Sequence, residues 1–82
     1  MHEVGVARRL AEVVNQRAAQ AGAAHVRAVH MEIGEESDVA PGSLELYWPD
    51  VTRDTPAEGA RLLFVAPPDE PFACRVVAID AD

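Results

Sequence analysis

The 82 residues, 49% of them apolar, predict one small domain with just enough hydrophobic material for a single core. A formal charge of −7 repels phosphate backbones and anionic lipid, so nucleic acid and membrane surfaces are excluded as partners, whereas cations and basic protein patches are favoured. The single cysteine, Cys74, leaves neither an internal disulfide nor a four-cysteine zinc site.

Aromatic residues are few (Tyr47, Trp48, Phe64 and Phe72), so Val, Leu, Ile and Ala must build the core. The longest apolar runs fall far short of the roughly 20 residues a membrane span needs. The chain start shows no basic segment followed by an apolar one, and a cytoplasmic protein is expected.

Residues 3–21 have the period of a helix. Val6, Leu10, Val13 and Val14, with Ala7, Ala11 and Ala18 beside them, form one apolar stripe, and Glu12, Gln16 and Gln20 lie off it. Gly22 is placed to end the helix, since glycine takes the left-handed position at low cost. Residues 26–34 alternate as a strand, with Val29, Met31 and Ile33 on one face and Ala28, His30 and Glu32 on the other. An acidic loop follows, carrying Glu35, Glu36 and Asp38.

Pro41 suits the first turn of a second helix running to about Arg53, with Leu44, Tyr47, Trp48 and Val51 on one face. Pro49 predicts a kink or an early end near Trp48, because an interior proline lacks the N–H of the helical ladder. After the loop Thr55–Gly59, residues 60–66 read as a second strand. It has Leu62, Phe64 and Ala66 on one face and Leu63 and Val65 on the other. The proline-rich segment 67–71 is a turn, and residues 72–80 form a third strand. So short a connection predicts an antiparallel hairpin between strands two and three. The expected fold is α+β with two layers, two helices packed on a three-stranded sheet, in the order α-β-α-β-β. The third strand, with Val76, Val77 and Ile79, is the expected pairing edge of a homodimer.

The chemistry concentrates at the start, Met1-His2-Glu3. A histidine at position two offers a metal the α-amine of Met1, the deprotonated amide of His2 and its imidazole, closing fused five- and six-membered chelate rings. Nitrogen donors in a tetragonal plane suit Ni(II) or Cu(II). The first N–H groups of a helix have no intrahelical partner, so ionising one there breaks no ladder bond. The helix dipole opposes a cation at this end, and the ionised amide with the Glu3 carboxylate would offset it. A plainer reading is also open: His2 as a solvated residue near a chain start, and Glu3 favoured in a first turn by the dipole alone.

Other candidates are weaker. His25 and His30 fall on opposite strand faces and do not chelate together. Glu35, Glu36 and Asp38 lack the regular spacing of a calcium loop. Cys74 fits a small core position. No nucleophile–base pair and no phosphate-cradling glycine loop is present, which argues against an enzyme.

Met1-His2-Glu3, the stretch Val29-His30-Met31-Glu32-Ile33-Gly34-Glu35 with Ser37 after it, Thr55-Pro56-Ala57-Glu58-Gly59-Ala60, and the ending Arg75-Val76-Val77-Ala78-Ile79-Asp80 together resemble the HypA family of nickel metallochaperones, in that family's order and spacing. The resemblance covers essentially the whole chain. It implies a nickel-binding accessory protein for maturation of a nickel enzyme, foremost the nickel–iron hydrogenase, and no catalytic activity. It also implies Ni(II) held by His2 with Met1, backbone amides and Glu3, and two partners, a nickel-handling GTPase and the hydrogenase large subunit. The family inserts a zinc domain with two Cys-x-x-Cys pairs between its last two strands. Residues 67–71 stand in that place here, so 1–82 is expected to be a single nickel-binding domain without structural zinc. A chain so shortened could also be an interaction module that no longer delivers metal.

Overall fold

The computed structural model describes residues 3–82. Helix α1 spans Glu3–Gln20, strand β1 Val26–Ile33, helix α2 Pro41–Val51, strand β2 Arg61–Val65 and strand β3 Cys74–Ala81. The expected α-β-α-β-β order is the observed one. Of the stripe read from the helical period, Ala7, Leu10, Ala11, Val14 and Ala18 are buried, and Val6 and Val13 are partly buried against them. They meet Val29, Met31 and Ile33 of β1, Leu44 and Trp48 of α2 and Val76 of β3 in one core. Just past the end of α1 stands Gly22, whose φ of 67° is the left-handed conformation that glycine adopts freely.

The sheet has the order β2-β1-β3, and here the expectation of a β2–β3 hairpin fails. β1 lies between the two, parallel to β2 and antiparallel to β3. The parallel pair follows from α2, which supplies the long crossover that parallel neighbours require. The connection from β2 to β3 is short but still crosses the end of β1. Gly34, just beyond β1, donates its N–H to the Ala73 carbonyl (2.8 Å), and Glu36 donates to the Pro71 carbonyl (2.7 Å). A Cβ on Gly34 would collide with the backbone carbonyls of Glu70 and Pro71. Glycine at position 34 therefore lets the segment cross closely over the strand end. Arg75 fastens the crossing from the side, its guanidinium reaching Glu32 of β1 (2.7 Å) and Glu70 of the crossing segment (2.6 Å).

Helix α2 continues through Pro49 and ends at Val51, three residues past Trp48 and two short of Arg53. Pro49 lies in the last turn, where the missing N–H costs only the bond to Glu45. The end is secured by Thr52, fully buried, whose N–H and hydroxyl both donate to the Trp48 carbonyl (3.1 and 2.6 Å). The Trp48 indole N–H reaches the Ala57 carbonyl (3.1 Å), and Asn15 of α1 accepts from the Ala57 N–H (3.0 Å). Residue 57 is thus held from both helices.

The two sheet edges differ. In β3 the register steps from His30↔Ala78 to Met31↔Val76, so Val77 bulges out of the ladder. The Arg17 guanidinium donates to its carbonyl (2.9 Å). A bulge with a cationic cap is a protected edge. β2 pairs with β1 in unbroken register from Arg61 to Val65, and among the described residues no strand pairs with its outer side.

Candidate metal site

Helix α1 begins at Glu3, an exposed residue, so this carboxylate stands in the first turn as expected. Met1 and His2 lie outside the described residues. From Glu3 onward the geometry of this end is defined. Its first turns carry Val4 and Val6, and one turn further Arg9 and Leu10 border a cleft of about 220 Å³. Across the cleft stand Ser37, Asp38 and Val39 of the acidic loop, with Phe72 and Cys74 from the end of the crossing segment and the start of β3.

The acidic loop does not act as one group. Asp38 faces α1 across the cleft, whereas Glu35 and Glu36 are exposed and take no part in lining it. Among the described residues, no three His, Cys, Asp or Glu side chains converge to hold a metal ion. Val39 donates its N–H to the Ser37 hydroxyl (3.3 Å), a local turn that places Val39 in the core and leaves Asp38 outside it. Residue 40, the N-cap of α2, is alanine and has no side-chain oxygen to cap the helix.

Cys74 packs partly buried against the core, near the expected small core position. Burial pushes its thiol pKa up and the Asp38 charge adds to this, while a hydrogen bond with Ser37 opposes both. His25 and His30 stay apart. His30 pairs with Asp80 on the helix-free face of the sheet (3.1 Å), and His25 is exposed, its carbonyl accepting the Asp82 N–H (2.9 Å).

Sequence reasoning missed the partners of the α1 start. Phe72, read only as the residue opening a strand, precedes β3 and is 73% exposed beside Val6. The signal available was a large apolar side chain next to a proline-rich turn in a chain with few aromatics. The surface next to the first turn of α1 is therefore mixed: Val6 and Phe72 apolar, Asp38 and Glu3 anionic, Arg9 cationic.

A family model described as "Hydrogenase/urease nickel incorporation, metallochaperone, hypA" matches residues 1–77. The chain is similar to the hydrogenase maturation factor HypA of Geotalea uraniireducens, 41% identical over 63 residues, 77% of this chain and 54% of that protein. It is similar to the factor of the same name in Pectobacterium atrosepticum, 44% identical over 62 residues, 76% of this chain and 53% of that protein. A third, from Dehalococcoides mccartyi, is 32% identical over 76 residues, 93% of this chain and 63% of that protein. The chain spans about half the length of most of these curated relatives.

Proposed function

The chain belongs to the HypA family, and from that premise we propose that it is a nickel-binding metallochaperone that hands Ni(II) to a nickel enzyme under maturation, foremost the nickel–iron hydrogenase, and performs no catalysis of its own. The observation that carries this reading is the extent of the family match: it begins at Met1 and takes in His2 and Glu3. The described helix opens at Glu3 with that carboxylate exposed at its start.

In this reading the cargo nickel is held by the Met1 amine, the His2 amide and imidazole, and Glu3. Three nitrogens from two consecutive residues fill most of a tetragonal plane without help from the fold. The first N–H groups of α1 lack intrahelical acceptors, so an ionised amide is accommodated there. The Glu3 carboxylate, exposed at the start of α1, is free to exchange with an acceptor site.

The partners proposed are a nickel-handling GTPase and the hydrogenase large subunit, in keeping with the relatives' name as maturation factors. Residues 66–73 connect β2 directly to β3. On this basis residues 1–82 are proposed as a single nickel-binding domain in which the segment 67–71 takes the place of a zinc-binding insertion. With Cys74 as the only thiol in these residues, no tetrahedral thiolate zinc site is expected within them.

The test is calorimetric titration of Ni(II) into three forms: the native N-terminus, His2→Ala, and a form with one residue added before Met1. One Ni(II) per chain is expected for the native form, with binding weakened at least tenfold in the other two. Equal affinity in all three would remove the N-terminal chelate and the function built on it.

A further inference from the structure

We propose that the outer edge of β2, with the groove beside it, is a docking site for an extended segment of a partner protein that adds to the sheet as a fourth strand and turns both apolar and basic side chains to the groove.

The contrast between the two sheet edges points here. The β3 edge is bulged at Val77 and capped by Arg17. The β2 edge has neither device: its five residues run in unbroken register with β1, and one row of N–H and C=O groups faces outward. Isolated edges of this kind invite another strand.

A groove of about 540 Å³ runs along this edge between β2 and α2. Its apolar lining comes from Trp48, Pro49, Leu62 and Leu63. An added strand projects its side chains alternately to the two sheet faces, so every second one can enter such a groove. Pro49 contributes further, since it has no N–H to offer the Glu45 carbonyl and both residues line the groove.

Charge selects the occupant. Glu45 and Glu58 stand on the groove, both exposed and neither in an ion pair among the described residues. Arg61 is the one basic group in the lining, and the chain as a whole carries −7. A segment that turns lysine or arginine as well as apolar side chains to the groove is complementary, while a second copy of this chain brings a further −7. The groove shares no lining residue with the cleft beside the α1 start, so the proposal stands apart from nickel binding.

The test uses the full chain and the eight-residue peptide Leu-Thr-Lys-Thr-Leu-Thr-Lys-Thr, whose leucines and lysines share one strand face, with the peptide carrying glutamate in place of lysine as the control. Trp48, the only tryptophan, reports binding by fluorescence, and amide exchange maps its position. The lysine peptide is expected to bind, to protect amides within Arg61–Val65, and to outbind the glutamate peptide. In Glu45→Lys/Glu58→Lys, two exposed changes, the lysine peptide should lose at least tenfold in affinity and the glutamate peptide should gain. The proposal is overturned by absence of lysine-peptide binding, by protection elsewhere than β2, or by an affinity indifferent to the charge reversal. It is equally overturned if the chain alone doubles in mass on concentrating with its β2 amides already protected, for a second copy then holds the edge.

Discussion

Gly34 and Pro71 approach so closely that a side chain on the first would occupy the space of the carbonyl of the second. The contact exists because the segment joining β2 to β3 must pass over the end of β1, and backbone lies directly on backbone there. Relief by a side-chain rotation is unavailable. Gly34→Ala should therefore destabilise the fold by about 3 kcal/mol or more, at the upper end of overpacking costs. Gly22→Ala serves as the comparison. Gly22 has open space around it but a φ of 67°, so only the left-handed penalty of about 1 kcal/mol applies. Urea unfolding of the two variants measures the difference, and equal losses would mean that the crossing segment yields.

Arg75 ties that same crossing to β1 through Glu70 and Glu32, and the Arg75 side chain holds the Glu70 carboxyl below its ordinary value near 4.5. A carboxylate with a lowered pKa in the folded state contributes stability above its unfolded pKa and loses it as pH falls through the folded value. The stability difference between native protein and Arg75→Met should be constant at neutral pH and shrink below about pH 4. Added salt should reduce it, since the pair is exposed. Thermal melts from pH 7 to pH 2.5 read this, and a difference growing toward acid would contradict the assignment.

The elements were legible in the sequence because each has a clear period. The α1 stripe and the alternation of Val29, Met31 and Ile33 are buried as their spacing requires. The sheet order was not legible. A short connection usually joins neighbours, and the signal against a hairpin lay in Gly34, whose need for a bare Cα appears only once Glu70 and Pro71 are placed on it. The continuation of α2 past Pro49 was hidden for a similar reason, since Thr52 reads as an ordinary polar residue until its hydroxyl is found on the Trp48 carbonyl. At the site, the start of the chain carried the strongest chemical signal. The facing of Asp38 and Phe72 toward α1 depends on long-range packing that no local pattern encodes.

Residue 57 links the two helices through two polar contacts, one to its carbonyl from Trp48 and one to its N–H from Asn15. Removing one partner leaves a backbone group without its hydrogen bond, at a cost of about 1–3 kcal/mol. Asn15→Ala and Trp48→Phe should each fall in this range. The double variant should cost less than their sum, because both contacts hold the same short segment. A double-mutant cycle by urea unfolding provides the coupling. Strict additivity would show that the Thr55–Gly59 loop is held by its own turns instead.

Nickel binding through Met1 and His2, as proposed, would carry a defined pH dependence. The α-amine, with an ordinary pKa near 8, and the imidazole, near 6.5, must both be unprotonated to bind metal. The amide must lose its proton as well, and it does so only with the metal in place. Protons therefore compete with nickel at three atoms, and affinity should fall steeply as pH drops below about 6.5. The fold should not follow. Among the described residues no cluster of metal-binding side chains is present, and the core around Val14, Val29 and Leu44 is built from α1, β1 and α2 directly. Titrations from pH 8 to pH 5 with parallel circular dichroism separate the two effects. Nickel should leave while the melting temperature, compared with and without a strong chelator at each pH, stays the same. Nickel retained well below the imidazole pKa would shift the site to carboxylates, with Asp38 and Glu3 the first to substitute, and a chelator-dependent melt would reveal a metal holding the fold.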